Sequence, residues 1–428
     1  MIPEIETQTK AQIKFYQEEK LRAALQYLQA NSPFYKRHFQ QRQVKVDKIK
    51  SLEDLLSVPT VSKDDLQQYN WDFLCVPRSR IVEYTTTSGT LGKPVTIALT
   101  ENDLKRLGYN EFISLSCADG TKGDIYQFML TLDRQFMAGI AYYEGVRQLG
   151  AGIVRVGPGL PSLQLETIKA IGPTSIIAVP SYIVKLIERA KQEGIDLNET
   201  PVRKIICIGE SIRTTDLHLN SLGKKITSDW NVKLFSTYAS TEMQTAFTEC
   251  SSGTGGHHHP DLIIIEVLDD LDKPVSAGEV GNLTITTLGI EGMPLLRYKT
   301  GDMVRLHEEA CSCGRTTSRV GPVVGRKQQM IKLKGTTIYP SGIFEILHEI
   351  GSLNNHLVEV ATDKLGTDEL KLFVTEEVDR TQLTELFRSR LRVSPEIIVS
   401  SSQEIEARQM SEGKRKPTKF IDSRSALV

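Results

Sequence analysis

The stretch Ser175–Ser211, SIIAVPSYIVKLIERAKQEGIDLNETPVRKIICIGES, decides the fold. Ser175–Val179 is a short apolar run of strand length. Pro180-Ser181 then opens a helix, Ile183, Val184, Ile187 and Ala190 recur as its apolar face, and Gly194 closes it. A second apolar run, Lys204–Ile208, follows, so strand, helix and strand arrive in the order that a parallel sheet requires. Open α/β sheets bind ligands beyond the carboxyl ends of their strands, which marks Gly209-Glu210-Ser211 as a candidate binding turn.

Working outward, short β-branched runs alternate with amphipathic helices from about residue 80 to 300, the pattern of βα units and a mainly parallel sheet. Residues 1 to about 60 read instead as a helical lead-in: Ile13, Leu21, Leu25 and Leu28 recur at helical spacing until Asn31-Ser32-Pro33. After Gly325 the texture changes to a compact α+β unit. It has a helix after Pro340-Ser341, strands at Leu357–Ala361 and Glu369–Val374, a helix near Thr381–Arg390 and a strand at Glu396–Val399. The expected division is a large domain, 1–325, and a small one, 326–428.

Composition narrows the function. The 52 basic and 53 acidic residues nearly cancel, so no overall field draws the chain to nucleic acid or an anionic membrane, and small-molecule chemistry is favoured. The longest apolar runs, such as Ile176–Val179 and Leu262–Ile265, are far too short to span a bilayer. The charged N-terminal stretch lacks the apolar core of a signal peptide, and six sparse cysteines suit a reducing compartment, so a cytoplasmic location is expected.

Thr85–Val95, TTTSGTLGKPV, follows a strand-like segment, Ile81–Tyr84. Glycine-freed amides, hydroxyl donors and an ammonium group are what a polyphosphate needs. The spacing is not that of a Walker loop: two residues, not four, precede the Gly-Lys pair, and Pro94 follows it. A polar hairpin turn is the plain alternative.

This loop resembles the phosphate-binding loop of the adenylate-forming superfamily, and its flanks resemble the phenylacetate–coenzyme A ligase branch. VPTVSKDDL at Val58–Leu66 and Thr100-Glu101-Asn102-Asp103 flank it. Further matches follow in the family's order: IIAVPSYIVKL (Ile176–Leu186), IGES (Ile208–Ser211), YASTE (Tyr238–Glu242), MPLLRYKTGD (Met293–Asp302), CSCGR (Cys311–Arg315), GRKQQMIKLKG (Gly325–Gly335) and SEGK (Ser411–Lys414). The resemblance implies a large N-terminal adenylate-forming domain of mixed, mainly parallel sheets with flanking helices, plus a small mobile α+β C-terminal domain.

It also implies an ATP-dependent carboxylic acid–coenzyme A ligase that forms an acyl-adenylate and then a thioester. Thr87, Ser88, Gly89, Thr90 and Lys93 are expected on the β- and γ-phosphates, Glu242 on magnesium, and Tyr238 stacked on adenine. The turn Gly209–Ser211 would line the base, with Ala239, Ser240 and Thr241 beside it. Asp302 would accept the ribose hydroxyls, Arg326 would lie near ribose and phosphate, and Gly335 would line the thiol's approach. Lys414, Glu242 and Thr90 are the expected catalytic residues. Partners are then ATP, an aryl or acyl carboxylic acid and coenzyme A, and a homodimer is left open. Transfer to a carrier protein, or a noncatalytic nucleotide-binding scaffold, are the competing readings.

The chain departs from the branch at Ala239, where glycine is usual, at Leu91 in the loop, and at Gln328-Gln329, where an acidic pair is usual at the hinge. Leu130–Gly139, LTLDRQFMAG, replaces a stretch richer in glycine and aromatics. There Asp133 and Arg134 either add polarity to the acid pocket or pair at the surface.

Between residues 250 and 313 lies a second candidate centre. Cys250, a histidine among His257, His258 and His259, and the Cys311-x-Cys313 pair offer the thiolates and imidazole that suit tetrahedral zinc. The branch can carry a structural zinc at corresponding positions, and alignment from Glu266 selects His257.

Overall fold

The computed structural model describes residues 2–87, 94–333, 336–350, 355–362, 368–375, 378–410 and 418–424. The chain forms two compact units, Met1–Val323 and Val324–Val428.

In the first unit a short turn, Glu4–Thr7, precedes the helix Lys10–Asn31, which is started by a reciprocal capping box between Thr9 and Gln12. Its buried positions include Ile13, Leu21, Leu25 and Leu28, the residues whose spacing predicts the helix. Ser32 stops it and caps the next helix, Pro33–Gln41, accepting from the Tyr35 amide, with Pro33 in the first turn where no amide hydrogen is needed.

A sheet at the centre of this unit runs in the order Gly152–Arg155, Ile125–Phe128, Ser175–Ala178, Lys204–Cys207, Lys233–Ser240, Thr245–Thr248. All neighbours are parallel except the last pair. Side chains alternate across the pleat. Ile176, Ala178, Ile205 and Cys207 pack with Ile183, Leu186 and Ile187 of the helix Pro180–Gln192. Ile177 and Ile206 pack with Leu115, Tyr142 and Val146 of the helices Glu101–Cys117 and Met137–Leu149. Cover on both faces explains why these strands read as unbroken apolar runs.

A second sheet has the order Ile263–Leu268, Val280–Thr287, Tyr298–His307, Arg319–Val320, Gly256–His257, with antiparallel neighbours. The expectation of a mainly parallel sheet as far as residue 300 therefore merges two sheets. Only turns and loops join these strands, so no helix makes the crossover that a parallel pair requires. Ile81–Thr86 and Thr96–Thr100 form a separate antiparallel hairpin.

In the second unit the order is Glu396–Val399, Asp368–Val374, His356–Thr362, Phe420–Asp422. The helices Pro340–Glu349 and Arg380–Leu391 bury Ile343, Leu347, Leu383 and Phe387 against Val358, Val360 and Leu372. Among the described residues no helix is long and apolar enough to cross a membrane.

Where the helices Glu101–Cys117 and Met137–Leu149 meet, a Cβ at Gly145 would lie 2.3 Å from the Glu111 Cβ, so only glycine permits the approach. Glu111 is buried there with no partner for Oε2, and burial pushes its carboxyl up to about 8 from 4.5. A folded-state value above the unfolded one means that stability falls as pH rises from 4.5 and stops falling above the folded value. Glu111→Gln removes this dependence. The loss of unfolding free energy between pH 5 and pH 9, measured by urea titration, should shrink by roughly 4 kcal/mol; an unchanged loss would show that Glu111 ionises freely in the fold.

Candidate active site and metal centre

The hairpin carries the base of the predicted phosphate loop. Thr87 and Val95 close it: the Thr87 amide donates to the Val95 carbonyl and the Val95 amide to Thr87 Oγ1, both at 3.0 Å. Ser88, Gly89, Thr90 and Lys93 lie outside the described residues. The flanking Thr100–Asp103 segment has a clear structural role. Thr100 and Asp103 form a capping box, and the Asp103 carboxylate also accepts the amides of Glu291 and Gly292 at 2.7 and 2.9 Å. Asn102 donates to Glu291 Oε1 at 2.8 Å. The hairpin is thereby tied to the turn that leads into MPLLRYKTGD.

The YASTE and KTGD segments meet. Tyr238 ends in a hydroxyl that donates to Asp302 Oδ2 at 2.7 Å, and its ring stacks on Phe247 with centroids 6.0 Å apart. Burial, then the charge of Asp302 and its hydrogen bond, hold the Tyr238 phenol well above its ordinary value. Tyr298 is pushed the same way by burial, then by the charges of Glu242 and Asp302. Both carboxylates thus act electrostatically on the same two tyrosines. Glu242 and Asp302 are themselves buried, Ala239 is exposed, and Ser240 and Thr241 lie between.

One charged neighbour escaped the sequence reading. Lys63, from the VPTVSKDDL lead-in, brings Nζ to 3.8 Å from Glu242 Oε1, with both side chains mostly buried. Ser62 and Asp65 cap the short helix Lys63–Gln68 and so fix where that lysine starts. The turn Gly209–Ser211 follows the strand Lys204–Cys207, with Gly209 at φ +74°, a left-handed conformation that glycine adopts without strain. Glu210 caps the next-door helix, accepting from the Ser181 amide and hydroxyl at 2.9 Å each. Asp133 and Arg134 form a 3.8 Å pair with both side chains largely exposed, which answers the question left open for them.

The lead-in is held by Arg297, buried in the middle of MPLLRYKTGD. Its Nε lies 3.1 Å from both Glu266 carboxylate oxygens, and its Nη1 donates to the carbonyls of Leu56 and Val58 at 3.0 and 2.5 Å. The Arg297 carbonyl accepts the Val61 amide at 2.9 Å, and the Lys299 amide returns to the Val61 carbonyl at 2.8 Å. Arg326 belongs to the second unit, in the short strand Gly325–Arg326, while Gly335 and Lys414 lie outside the described residues.

The ligand atoms of Cys250, His257, Cys311 and Cys313 lie within 4.8 Å of one another. Cys250 and Cys311 sulfurs are 3.5 Å apart, and Cys313 Sγ is 3.4 Å from His257 Nε2. Zinc–ligand bonds of about 2.0–2.3 Å set tetrahedral edges of about 3.5–3.8 Å, so the donor set fits such an ion. His257 Nδ1 meets Thr317 Oγ1 at 3.4 Å, which leaves Nε2 for the centre. Burial and then the Arg315 charge hold His257 near 3, neutral and able to bind. Its neighbours are otherwise engaged: His258 Nε2 with the Ile263 carbonyl at 2.6 Å, His259 Nδ1 with Glu6 at 2.5 Å.

The mainly parallel sheet delivers Tyr238 and, just after its strand, Glu242, and the antiparallel sheet delivers Tyr298 and Asp302 to the same place. The AMP-binding enzyme family matches residues 15–291, more than half of the chain, and the chain belongs to it. Among its relatives, the phenylacetate–coenzyme A ligase of Thermus thermophilus is 32% identical over 87% of this chain and 83% of its own length. That of Escherichia coli is 27% identical over 91% and 88%. In fold, the chain matches a 2-hydroxyisobutyryl-CoA ligase in the postadenylation state with a TM-score of 0.85 at 23% identity, covering 98% of this chain and 92% of that one. It also matches an O-succinylbenzoate coenzyme A synthetase from Bacillus subtilis, solved with ATP and magnesium ion, with a TM-score of 0.58 at 19% identity over 74% and 66%.

The geometry around Arg297 carries a prediction. Arg297→Met leaves Glu266 buried without its counter-charge and two carbonyls without donors, and should destabilise the first unit by about 3–5 kcal/mol in urea unfolding. A loss below about 1 kcal/mol, the range of an exposed pair, would refute the anchoring role.

Proposed function

We infer that this chain is an AMP-forming carboxylic acid–coenzyme A ligase of the phenylacetate–coenzyme A ligase kind, acting in the cytoplasm. The observation that carries the reading is the Tyr238–Asp302 hydrogen bond of 2.7 Å beside buried Glu242. It brings two acidic groups from well-separated motifs to one place, in a chain of the AMP-binding family.

In the first half-reaction the substrate carboxylate attacks the α-phosphorus of ATP, an acyl–phosphate bond forms, and pyrophosphate leaves. In the second, the coenzyme A sulfur attacks the acyl carbon, AMP leaves, and the thiol proton is released. The protein's task is to hold two anions together and neutralise charge as it develops. Glu242 would hold magnesium, which screens the phosphates. Asp302 offers acceptors to the ribose hydroxyls, and Tyr238 presents its ring to adenine. Thr87, Ser88, Gly89, Thr90 and Lys93 bind the outer phosphates, and Gly209–Ser211 line the base.

The remaining roles rest on motif resemblance. The unit Val324–Val428 is the small mobile C-terminal domain, and Met1–Val323 is the adenylation domain. Lys414 places a fixed positive charge on the reacting carboxylate and α-phosphate, Arg326 contacts ribose and phosphate, and Gly335 borders the thiol path. The acid is aryl or acyl; in the LTLDRQFMAG stretch Leu130 and Met137 are buried and Asp133 and Arg134 pair at the surface. Cys250, His257, Cys311 and Cys313 hold a structural zinc, since four protein ligands leave no open position for catalysis.

The test is AMP release across a panel of aryl and aliphatic acids, with and without coenzyme A. Acid-dependent AMP and thioester are expected; thioester formed only with a carrier protein would overturn the coenzyme A assignment, and ATP binding without AMP from any acid would overturn the enzyme. Lys414→Ala and Glu242→Gln should each lower acyl-hydroxamate formation by about 10²–10³-fold, with melting unchanged for Lys414→Ala; near-normal rates would remove those roles. Metal analysis of protein purified without chelator should find about one zinc per chain, and the Cys311→Ser variant less.

A further inference from the structure

The four-residue centre is backed by a buried relay that reaches the N-terminal turn Glu4–Thr7. Arg315, two residues beyond Cys313, directs Nη1 to Cys313 Sγ at 3.6 Å and donates from Nε to Glu6 Oε2 at 2.6 Å. The other Glu6 oxygen faces His259 Nδ1, and the Glu6 side chain is completely buried. The backbone repeats the join: the Thr316 amide donates to the Glu6 carbonyl at 2.8 Å, and the Thr316 hydroxyl reaches the Gln8 carbonyl at 2.6 Å. Glu6 thus touches His259, two residues beyond the strand end His257, and Arg315, two residues beyond Cys313.

Charge explains why such a carboxylate is worth burying here. A divalent ion on three thiolates and a neutral imidazole carries one net negative charge, and Arg315 is the cation that meets it. A guanidinium on a flexible stem serves that purpose only if it is aimed. Glu6 grips Nε and leaves Nη1 turned toward sulfur, which is a positioning role. The bond from Arg315 is stronger to a metal-held thiolate than to a neutral thiol, because one partner is then charged.

We propose that Glu6 and Arg315 form a clamp coupling the docking of the N-terminal segment to divalent-metal occupancy of the Cys250–His257–Cys311–Cys313 centre. The proposal rests on the zinc reading of that centre. Linkage makes the coupling reciprocal: docking of Glu6 tightens metal binding by the same factor by which metal tightens docking. A merely structural ion pair would change melting and leave metal affinity alone.

The experiment uses the full chain. Zinc affinity is measured by competition with a chromophoric chelator, and the thiolate-to-metal charge-transfer band is followed after cobalt substitution. Glu6→Gln and Arg315→Met should weaken zinc about 10–100-fold and alter the cobalt band, with Arg315→Lys affected less. In the unsubstituted chain, stripping the metal should speed hydrogen exchange at the amides of Glu6 and Thr316 while the strand Ser175–Ala178 stays protected. Zinc affinity of Glu6→Gln within twofold of the parent, or exchange at Glu6 and Thr316 indifferent to metal, would overturn the clamp alone. A parent chain that binds neither zinc nor cobalt would overturn the metal reading and the clamp with it. The exchange arm needs no variant, so a misfolded substitution cannot shield the proposal.

Discussion

The buried guanidinium of Arg297 is the contact on which the arrangement of the first unit turns. It sits between the Glu266 carboxylate of one strand and the carbonyls of Leu56 and Val58 in the lead-in. Such a pair is stable only with both members present, because either alone would be a buried charge without compensation. Its consequence is positional. The lead-in runs beside the start of the strand Tyr298–His307, so Lys63 arrives next to Glu242 while the same strand delivers Asp302. One ion pair therefore sets the spacing among groups that come from three distant parts of the chain.

Around that anchor, burial works on polar groups with unequal results. Tyr238 and Asp302 share a short hydrogen bond, whereas Glu111 leaves Oε2 without a partner and burial pushes its carboxyl up. The Cys/His centre is electrostatically a separate problem. Its donors face one another, and its histidine is kept neutral by burial and by Arg315.

Much of this was legible in the residues. Strand, helix and strand from Ser175 to Cys207 stand where the periodicity puts them, because burial on both faces leaves an apolar signature that local reading detects. The two acidic motifs were found by resemblance, and their convergence needed three dimensions. Arg297, Lys63 and Glu6 were missed for one reason: a charged residue in a polar-looking segment reads as solvated, and its partner lies beyond any local window. The second sheet was merged with the first because apolar runs do not announce strand direction. The turn-rich LDDLDKPVSAGE segment between Ile263–Leu268 and Val280–Thr287 was the available signal for an antiparallel return. The resemblance alone selects His257, and the structure sets it apart physically, because each of the three rings has its own neighbour.

The pairing of Val61 with Arg297, and of Glu6 with Thr316, has a consequence for how the chain is made. On a ribosome the first sixty residues emerge long before the segments that receive them. At about 5–20 residues per second, the wait is on the order of ten to sixty seconds. During that interval Leu21, Leu25, Leu28, Phe34 and Tyr35, all buried in the finished fold, have no completed core to enter. The helical lead-in therefore keeps an apolar face in water through that interval, although its helices form from local contacts.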